Sequence, residues 1–309
     1  MMTDTNGRSH TEDPTQVLQA SIDIAQGGNG HQAPAQAPPP AETHGIIEQP
    51  GAILSPSQAN TYLDCAARWY FKHLLRLPEP LNSNLAVGRV VDDTISAYLR
   101  VKTKERRELS ADDVRDTLNL AWADQEAELS LQDGESPGEL RDLCARLVTS
   151  YITEMAPRVE PAIIDGEPAI QFPVQGKIAG VDVRGCIDIL TEEGTVIDLK
   201  TKTDKPHDVA ANHMLQVTTY DLICPNSRGK AEIHYVVKGR AATTKAKTVP
   251  FTRDIGPAEV LYAESIYPMV QEAMRDGLYL PQRAARICSR KYCPFWQACE
   301  KEFGGRVPE

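Results

Sequence analysis

The sequence predicts a mixed α/β protein in which a helical segment precedes a sheet. Apolar residues recur at helical spacing between residues 53 and 155, whereas short, β-branched and partly alternating runs follow between residues 169 and 199. The chain has 309 residues, of which 41% are hydrophobic and 25% charged, so it has ample apolar material for one large domain. These observations favour an α/β core with helices added before it.

The first fifty residues are expected to form a disordered tail. They contain six prolines and no aromatic residue, and residues 27–40 are largely Gly, Gln, Ala and Pro. Such a segment buries too little apolar surface to offset the entropy lost on folding. The folded domain is therefore predicted over residues 51–309.

Four helices are predicted before the sheet begins. Ser55 as N-cap, with Pro56 in the first turn, marks a helix that is expected to continue through Phe71. A second helix is predicted from about Gly88 into a basic run at residues 100–107. Two more are expected over residues 112–132 and 138–155, so that residues 100–157 form a helical insertion.

The next segment predicts an antiparallel meander followed by mixed elements. The four strands of the meander are expected over residues 169–174, 177–183, 186–190 and 195–199. Gly176 and Glu193–Gly194 are predicted turns. A helix, two strands and a last helix are expected over residues 208–222, 231–237, 248–251 and 257–277.

The net charge of −10 is concentrated in two regions. Residues 1–50 carry six acidic side chains and one basic side chain, and residues 101–142 carry twelve acidic and six basic ones. The rest of the chain is close to neutral. The acidic balance therefore does not exclude a nucleic-acid partner, although phosphate binding requires lysine and arginine.

Three classes of protein are disfavoured by what the sequence lacks. No stretch approaches the roughly 18 to 20 consecutive apolar residues of a membrane helix. A basic segment followed by an apolar run, as in a signal peptide, is not seen either, so we expect no membrane partner and a cytoplasmic location. The pattern Gly-x-x-x-x-Gly-Lys-Ser/Thr is absent, so no ATP-driven motor is expected.

Two neighbouring predicted strands each carry one carboxylate. Asp188 lies in the third strand, and the fourth reads Asp198-Leu199-Lys200. Because strand side chains alternate, Asp198 and Lys200 point to the same face. Two carboxylates suit Mg²⁺ or Mn²⁺, and the lysine can orient water or stabilise charge on a phosphate. A surface salt bridge is the alternative.

The order of these residues resembles the PD-(D/E)XK nuclease superfamily, in its RecB-like branch. That branch carries Gly-x-x-Asp on one strand, Asp/Glu-x-Lys on the next, and Gln-x-x-x-Tyr on the following helix. Gly185, Gln216 and Tyr220 complete the pattern here. Gln216 and Tyr220 share one helix face, although an exposed glutamine and a half-buried tyrosine would explain them separately.

The resemblance covers about residues 53–305 and implies a restriction-endonuclease-like mixed sheet flanked by helices, with its core at about residues 165–277. It implies a Mg²⁺- or Mn²⁺-dependent deoxyribonuclease. By resemblance, Asp188, Asp198 and the Leu199 carbonyl bind the metal, Lys200 is the catalytic lysine, and Gln216 and Tyr220 support the site or contact DNA.

One residue departs from the pattern of the branch. The helix before the core usually carries Gly-x-x-x-His, in which the histidine is an additional metal ligand. Here Gly88 is followed by Asp92 and Asp93. Asp92 is the candidate substitute ligand, because a carboxylate also binds Mg²⁺ or Mn²⁺. Two acids that interact with the positive end of a helix are an equally good explanation.

Three of the seven cysteines, Cys288, Cys293 and Cys299, lie within twelve residues near the end of the sequence. Together with Cys65 they are candidate ligands of a metal centre. The RecB-like branch includes AddB and the RecB-like nucleases of CRISPR adaptation, which have a similar arrangement of cysteines. The resemblance implies a [4Fe–4S] cluster that holds residues 288–299 against the first helix. Zn²⁺ and unligated thiols are the alternatives. The other cysteines are expected to be small buried hydrophobes: Cys144, Cys186 and Cys224.

Two basic regions are candidates for contact with DNA, although solvated faces explain them as well. One surrounds the cysteines, where cations alternate with aromatics: Arg283, Arg286, Arg290, Lys291, Tyr292, Phe295 and Trp296. The other combines the run at residues 100–107 with Arg68, Lys72 and Arg76.

The resemblance therefore predicts a nuclease, and an exonuclease in particular, in DNA recombination, repair or phage DNA processing. Any unwinding would need a separate helicase, and a recombinase or annealing protein is a further candidate partner. The alternative is a catalytically impaired iron–sulfur subunit that binds DNA or serves as a scaffold. The sequence leaves the oligomeric state open.

Overall fold

A computed structural model describes residues 51–239 and 245–309, so the predicted tail at residues 1–50 lies outside the described residues. Strand β1 (Ile53–Leu54) leads into helix α1 (Pro56–Asp64). As predicted, the Ser55 side chain caps this helix, because it accepts a hydrogen bond from the Gln58 backbone N–H at 3.2 Å.

The prediction of one helix through Phe71 is wrong. Cys65 has extended backbone angles, φ −165° and ψ 108°, which end α1. Helix α2 (Ala66–Trp69) and a π-helical turn (Tyr70–Leu74) follow the break. The change of direction brings the Cys65 thiol within 3.5 Å of the Gln282 backbone N–H, far along the chain. A tertiary contact therefore accompanies the break.

Three longer helices form a layer before the central sheet. After the short strand β2 (Leu81–Asn82), the Asn82 side chain caps helix α3, which begins five residues before the predicted start at Gly88. Helix α4 begins with a capping box between Ser110 and Asp113 and ends earlier than predicted. The bounds are Ser83–Glu105 for α3, Ala111–Glu126 for α4, Leu129–Ser130 for strand β3 and Pro137–Glu154 for α5.

The predicted meander forms with three strands in place of four. After a 3₁₀ turn and a small hairpin of β4 and β5, strand β6 continues through Gly176, where a turn was predicted. A side chain there would lie 3.0 Å from Ile223 Cβ, so close packing explains this glycine. The turn is at Ala179 and Gly180, both with positive φ. The bounds are Ala156–Arg158 for the 3₁₀ turn, Ile163–Ile164 for β4, Glu167–Pro168 for β5, Ile170–Ile178 for β6, Val181–Leu190 for β7 and Thr195–Lys202 for β8.

The remaining elements complete a six-stranded mixed sheet. Its order is β1-β7-β8-β9-β10, and β6 pairs with the other edge of β7. Strands β8 and β9 are parallel, and the intervening helix α6 provides the crossover that parallel strands require. The bounds are Ala211–Ile223 for α6, Lys230–Val237 for β9, Lys247–Asp254 for β10, Pro257–Arg275 for α7 and Trp296–Phe303 for α8.

Both faces of this sheet are covered by helices. Ile187 and Tyr235 belong to an apolar cluster with residues of α1, α6 and α7, whereas Ile189 and Val236 belong to a second cluster with residues of α3, α4 and α5. The expected mixed sheet flanked by helices is therefore confirmed. Within the described segments, no helix has both the length and the apolar character to cross a membrane.

Strands β7 and β8 separate after a short paired segment. Only Ile189 with Ile197 and Leu190 with Val196 form registered pairs between them. At its other end β7 pairs with β1, which begins at Ile53. The stretch between these two pairings leaves a gap in the sheet, and the predicted acidic residues lie beside it.

Candidate active site

Asp188 and Asp198 lie where β7 and β8 separate. The Leu199 backbone N–H donates to Asp188 Oδ2 at 2.7 Å, so this carboxylate bridges the gap between the strands. Lys200 Nζ donates to Asp198 Oδ1 at 2.7 Å and also lies 3.4 Å from the Leu199 carbonyl oxygen. The structure therefore brings together all four residues that the sequence placed on these two strands.

Asp92 extends from α3 towards the same group. Its carboxylate accepts a hydrogen bond from Gln171 Nε2 at 2.9 Å, and the neighbouring Asp93 is exposed. Burial raises the pKa of Asp92 to about 6, and the charges of Asp93 and Asp198 contribute in the same direction, while Lys200 opposes them. The candidate substitute for the family histidine is therefore close to the other two carboxylates.

The three carboxylates and the lysine are coupled electrostatically. Burial, followed by the charges of Asp198 and Asp92, raises the pKa of Asp188 well above its usual value. Burial also raises the pKa of Asp198, although Lys200 counteracts it. Burial alone would lower the pKa of Lys200, but the surrounding carboxylates outweigh it and raise that pKa. These carboxylates therefore favour the protonated form of Lys200.

Two carboxylate oxygens of this group have no hydrogen-bond partner among the described residues. They are Asp92 Oδ1 and Asp198 Oδ2, and both are buried. A buried oxygen without a partner is costly, so these atoms fit a cation that would bind them. The donors are all oxygen atoms, as Mg²⁺ and Mn²⁺ prefer. Nevertheless, no three His, Cys, Asp or Glu side chains in the described segments have the spacing of a formed metal site.

Tyr220 of α6 lies near Asp188 and Asp198, and Gln216 of the same helix contacts Tyr220. Gln216 Nε2 donates to the Tyr220 hydroxyl at 3.0 Å. Burial raises the pKa of Tyr220, the hydrogen bond from Gln216 lowers it, and Asp188 and Asp198 raise it further. The Tyr220 hydroxyl therefore borders the acidic group.

A cleft of about 680 Å³ lies along β7 beside this group. Its walls include Arg184, Cys186 and Tyr220, together with Ser55 and Ser57 at the start of α1. Cys186 is exposed, so the prediction that it is a buried hydrophobe is wrong. It lies two residues from Asp188 on the same face of β7, and that face borders the open part of the sheet.

The other two cysteines that were expected to be buried, Cys144 and Cys224, are buried as predicted. The four candidate ligands line one small cavity, which Phe71 also borders: Cys65, Cys288, Cys293 and Cys299. Burial raises the pKa of the Cys299 thiol to about 11; Arg283 opposes this, and the other three thiols add to it. The break after α1 thus places Cys65 among the three cysteines that are distant in sequence.

Most cations of the two predicted basic regions have internal partners. Arg100 donates to the Ile170 carbonyl at 2.7 Å, and Arg283 donates to the Gly304 carbonyl at 2.8 Å. Arg290 pairs with Glu300 at 3.2 Å and stacks over the Trp296 ring. Other cations form ion pairs with acids: Arg68 and Lys72 with Glu79, Lys102 with Glu160, Lys104 with Glu167, and Arg107 with Glu105. These cations therefore already have partners within the protein.

Two polar residues near the carboxylates were not predicted. Gln171 bonds to Asp92, and its only signal in the sequence is a polar residue between Ile170 and Phe172. His213 is buried on α6 and bonds to the Tyr235 hydroxyl at 2.8 Å. Neither contact follows from periodicity, because each joins two elements that are distant in sequence.

A mixed sheet that opens beside two acidic strands, with a lysine two residues after the second carboxylate, is the architecture of a class of phosphodiester hydrolases. A family model described as the PD-(D/E)XK nuclease superfamily matches residues 53–300. The chain therefore belongs to the PD-(D/E)XK nuclease superfamily. No curated protein matches the chain.

The solved structures that match the chain include two that share 13% identity with it. A crystal structure of a protein from Eubacterium rectale, provisionally described as an exonuclease, aligns at 13% identity with a TM-score of 0.50, over 77% of this chain and 87% of that one. This likeness agrees with the fold. The structure of SSO0001 aligns at 13% identity over 80% of this chain and 95% of that one, with a TM-score of 0.33, which is too low to establish a common fold.

Proposed function

We propose that the protein is a Mg²⁺- or Mn²⁺-dependent deoxyribonuclease of the RecB-like branch that digests DNA as an exonuclease. The observation that carries this proposal is the group formed by Asp92, Asp188, Asp198 and Lys200, in which two buried carboxylate oxygens have no partner among the described residues. Roles in DNA recombination, repair or phage DNA processing follow from the resemblance alone.

The residues of this group have separate tasks. Asp92, Asp188, Asp198 and the Leu199 carbonyl would hold the cation. When bound, the cation would supply Lewis-acid stabilisation of the phosphate and lower the pKa of a bound water. The neighbouring carboxylates raise the pKa of Lys200 and so favour its protonated form. Its ammonium group donates hydrogen bonds, and can orient the attacking water or neutralise negative charge on the phosphate.

A cleavage assay with three matched variants tests this assignment. Purified full-length protein is incubated with linear and with covalently closed circular DNA, with Mg²⁺, with Mn²⁺ or with a chelator. We expect metal-dependent loss of linear DNA only, and a loss of rate of about 100-fold or more in Lys200→Met and Asp188→Asn. Asp182→Asn is the control, because Asp182 lies on the same strand but pairs with Lys177 at the surface.

Undiminished cleavage by Lys200→Met would show that the assigned site is wrong. Cleavage of circular DNA at a similar rate would instead identify an endonuclease. Binding of DNA without cleavage under any metal condition would favour the alternative, a non-catalytic subunit that binds DNA. The position of Asp92 beside Asp198 opposes that alternative, because the substitution of the family histidine retains a potential ligand.

We also propose that the four cysteines hold a [4Fe–4S] cluster. They surround one cavity, and four thiolates are the ligand set of such a cluster. Four cysteine thiolates also bind Zn²⁺ in a tetrahedral site, so Zn²⁺ is the alternative. The resemblance to the RecB-like branch is what favours the cluster.

Anaerobic purification followed by iron, sulfide and zinc analysis tests the cluster. We expect about four irons and four sulfides per chain, with broad visible absorbance. A colourless preparation with one zinc per chain would contradict the proposal.

This chain carries no motor motif, so a separate helicase would provide any unwinding, and a recombinase or annealing protein is a further proposed partner.

A further inference from the structure

Gln171 has an unusual backbone conformation for a residue within a strand. Its φ is +49°, in the left-handed region that favours glycine. On either side, Ile170 pairs with Ile189 and Phe172 pairs with Ile187, so the strand register is the same before and after it. A strained residue of this kind inside a strand persists only where the surrounding structure holds it in place.

The side-chain amide of Gln171 is held at both ends. Its Nε2 donates to Asp92 Oδ2 at 2.9 Å and lies 3.4 Å from Ser96 Oγ, and its Oε1 accepts from the Cys186 thiol at 3.5 Å. The reverse orientation would place the amide oxygen against a carboxylate oxygen, which is unfavourable for two acceptors. The hydrogen-bonding partners therefore determine the orientation of the amide.

This contact determines how Asp92 faces the other acidic residues. Because Gln171 occupies Oδ2, the buried oxygen that remains without a partner is Oδ1. Asp92 belongs to α3 and Gln171 to β6, so the hydrogen bond also fixes the helix to the sheet at this point. Without it, the Asp92 side chain would be free to rotate away from Asp198.

We propose that Gln171 is a positioning residue that presents Asp92 as the third carboxylate ligand of the divalent cation. The proposal rests on the proposed function, because it requires that the acidic group bind a metal. Carboxylate ligands are usually oriented by hydrogen bonds from residues behind them, and loss of such a partner weakens metal binding by about 10–100-fold. The left-handed backbone of Gln171 persists because relaxing it would withdraw the amide from Asp92.

Mn²⁺ binding to the full chain, without DNA, tests the proposal. Free Mn²⁺ is measured by electron paramagnetic resonance, and folding is followed by thermal unfolding. In Gln171→Gly the strain is relieved and the amide is lost, so we expect Tm to stay the same or rise while the Kd for Mn²⁺ rises at least about tenfold. Gln171→Leu should weaken binding similarly. Gln175→Leu, at an exposed residue of the same strand, is the matched control and should bind as wild type.

A double variant tests whether Gln171 acts through Asp92. In an Asp92→Ala background, Gln171→Gly should cause no further loss of Mn²⁺ affinity. Additive losses would overturn the positioning role, as would wild-type affinity in both single variants of Gln171. If the wild-type protein binds no Mn²⁺, the proposed metal site itself is wrong. If the wild-type protein and the Gln171 variants bind Mn²⁺ equally, the metal site stands and only the positioning role of Gln171 is wrong.

Discussion

The ring of Tyr220 packs against the backbone of Gly185 with no room for a side chain between them. A methyl group at residue 185 would lie 3.0 Å from Tyr220 Cδ1 and closer still to Cε1. Steric contact with the Tyr220 ring therefore explains why the Gly-x-x-Asp motif has a glycine here. It admits the tyrosine of α6 to the side of β7, so that the Tyr220 hydroxyl borders Asp188 and Asp198.

Gly185→Ala is expected to displace Tyr220 and to reduce both stability and cleavage. Overpacking of this kind costs about 1–3 kcal/mol of the free energy of unfolding. Urea unfolding measures the change. In a Tyr220→Ala background the added methyl group meets no ring, so the cost of Gly185→Ala should largely disappear. Equal costs in both backgrounds would show that the contact is unimportant.

A second prediction concerns the acid sensitivity of His213. Burial, together with Lys200 and Lys202, lowers the pKa of His213 to about 3 in the folded protein. The usual value of about 6.5 applies to the unfolded chain. The contribution of neutral His213 to stability is therefore complete above pH 6.5 and decreases as the pH falls from 6.5 towards 3, by about 1.4 kcal/mol for each unit.

Urea unfolding of wild type and His213→Gln at pH 7 and pH 5 measures this effect. We expect the variant to lose less stability than wild type between the two values, because glutamine does not titrate. His207→Gln is the control at an exposed histidine near the start of the same helix, and it should lose as much as wild type. If His213→Gln lost as much stability as wild type between pH 7 and pH 5, the prediction would be wrong.

The carboxylates and the lysine could be predicted because alternation along a strand is a local property. The order of the family motifs added Gly185, Gln216 and Tyr220. The break at Cys65, the continuous strand through Gly176 and the exposure of Cys186 could not. Each accompanies a feature of the tertiary structure: the contact of Cys65 with the Gln282 backbone N–H, the packing of Ile223 against Gly176, and the gap between β7 and β8. Spacing in the sequence also did not reveal the backbone conformation of Gln171.

A third prediction concerns the cysteines. Cys65→Ser should lose most of the bound iron and lower Tm by about 10 °C, because a bound group that joins distant segments contributes directly to folding. Iron analysis and thermal unfolding measure both effects. Cys186→Ser is the control, since Cys186 is exposed and away from the cavity. Full iron content in Cys65→Ser would exclude Cys65 as a ligand.

The last prediction separates two arginines of the basic region around the cysteines. Arg290 forms ion pairs with Glu300 and Glu309, so its role is to stabilise the fold. Arg286 is exposed and lines a cleft of about 340 Å³ with Tyr292. No ion pair of Arg286 is found in the part of the chain that the structure describes, and its charge contributes to a lowered pKa of Lys202.

Arg286→Ala should weaken DNA binding and reduce the slope of log K against log salt by about one, as expected for one lost phosphate contact, while Tm stays unchanged. Arg290→Ala should lower Tm by a few degrees and leave that slope unchanged, because its charge is already neutralised within the fold. Fluorescence anisotropy with labelled DNA at several salt concentrations measures the slope. If the two variants exchange these effects, the cations that contact DNA are those with internal partners, and the distinction between them is wrong.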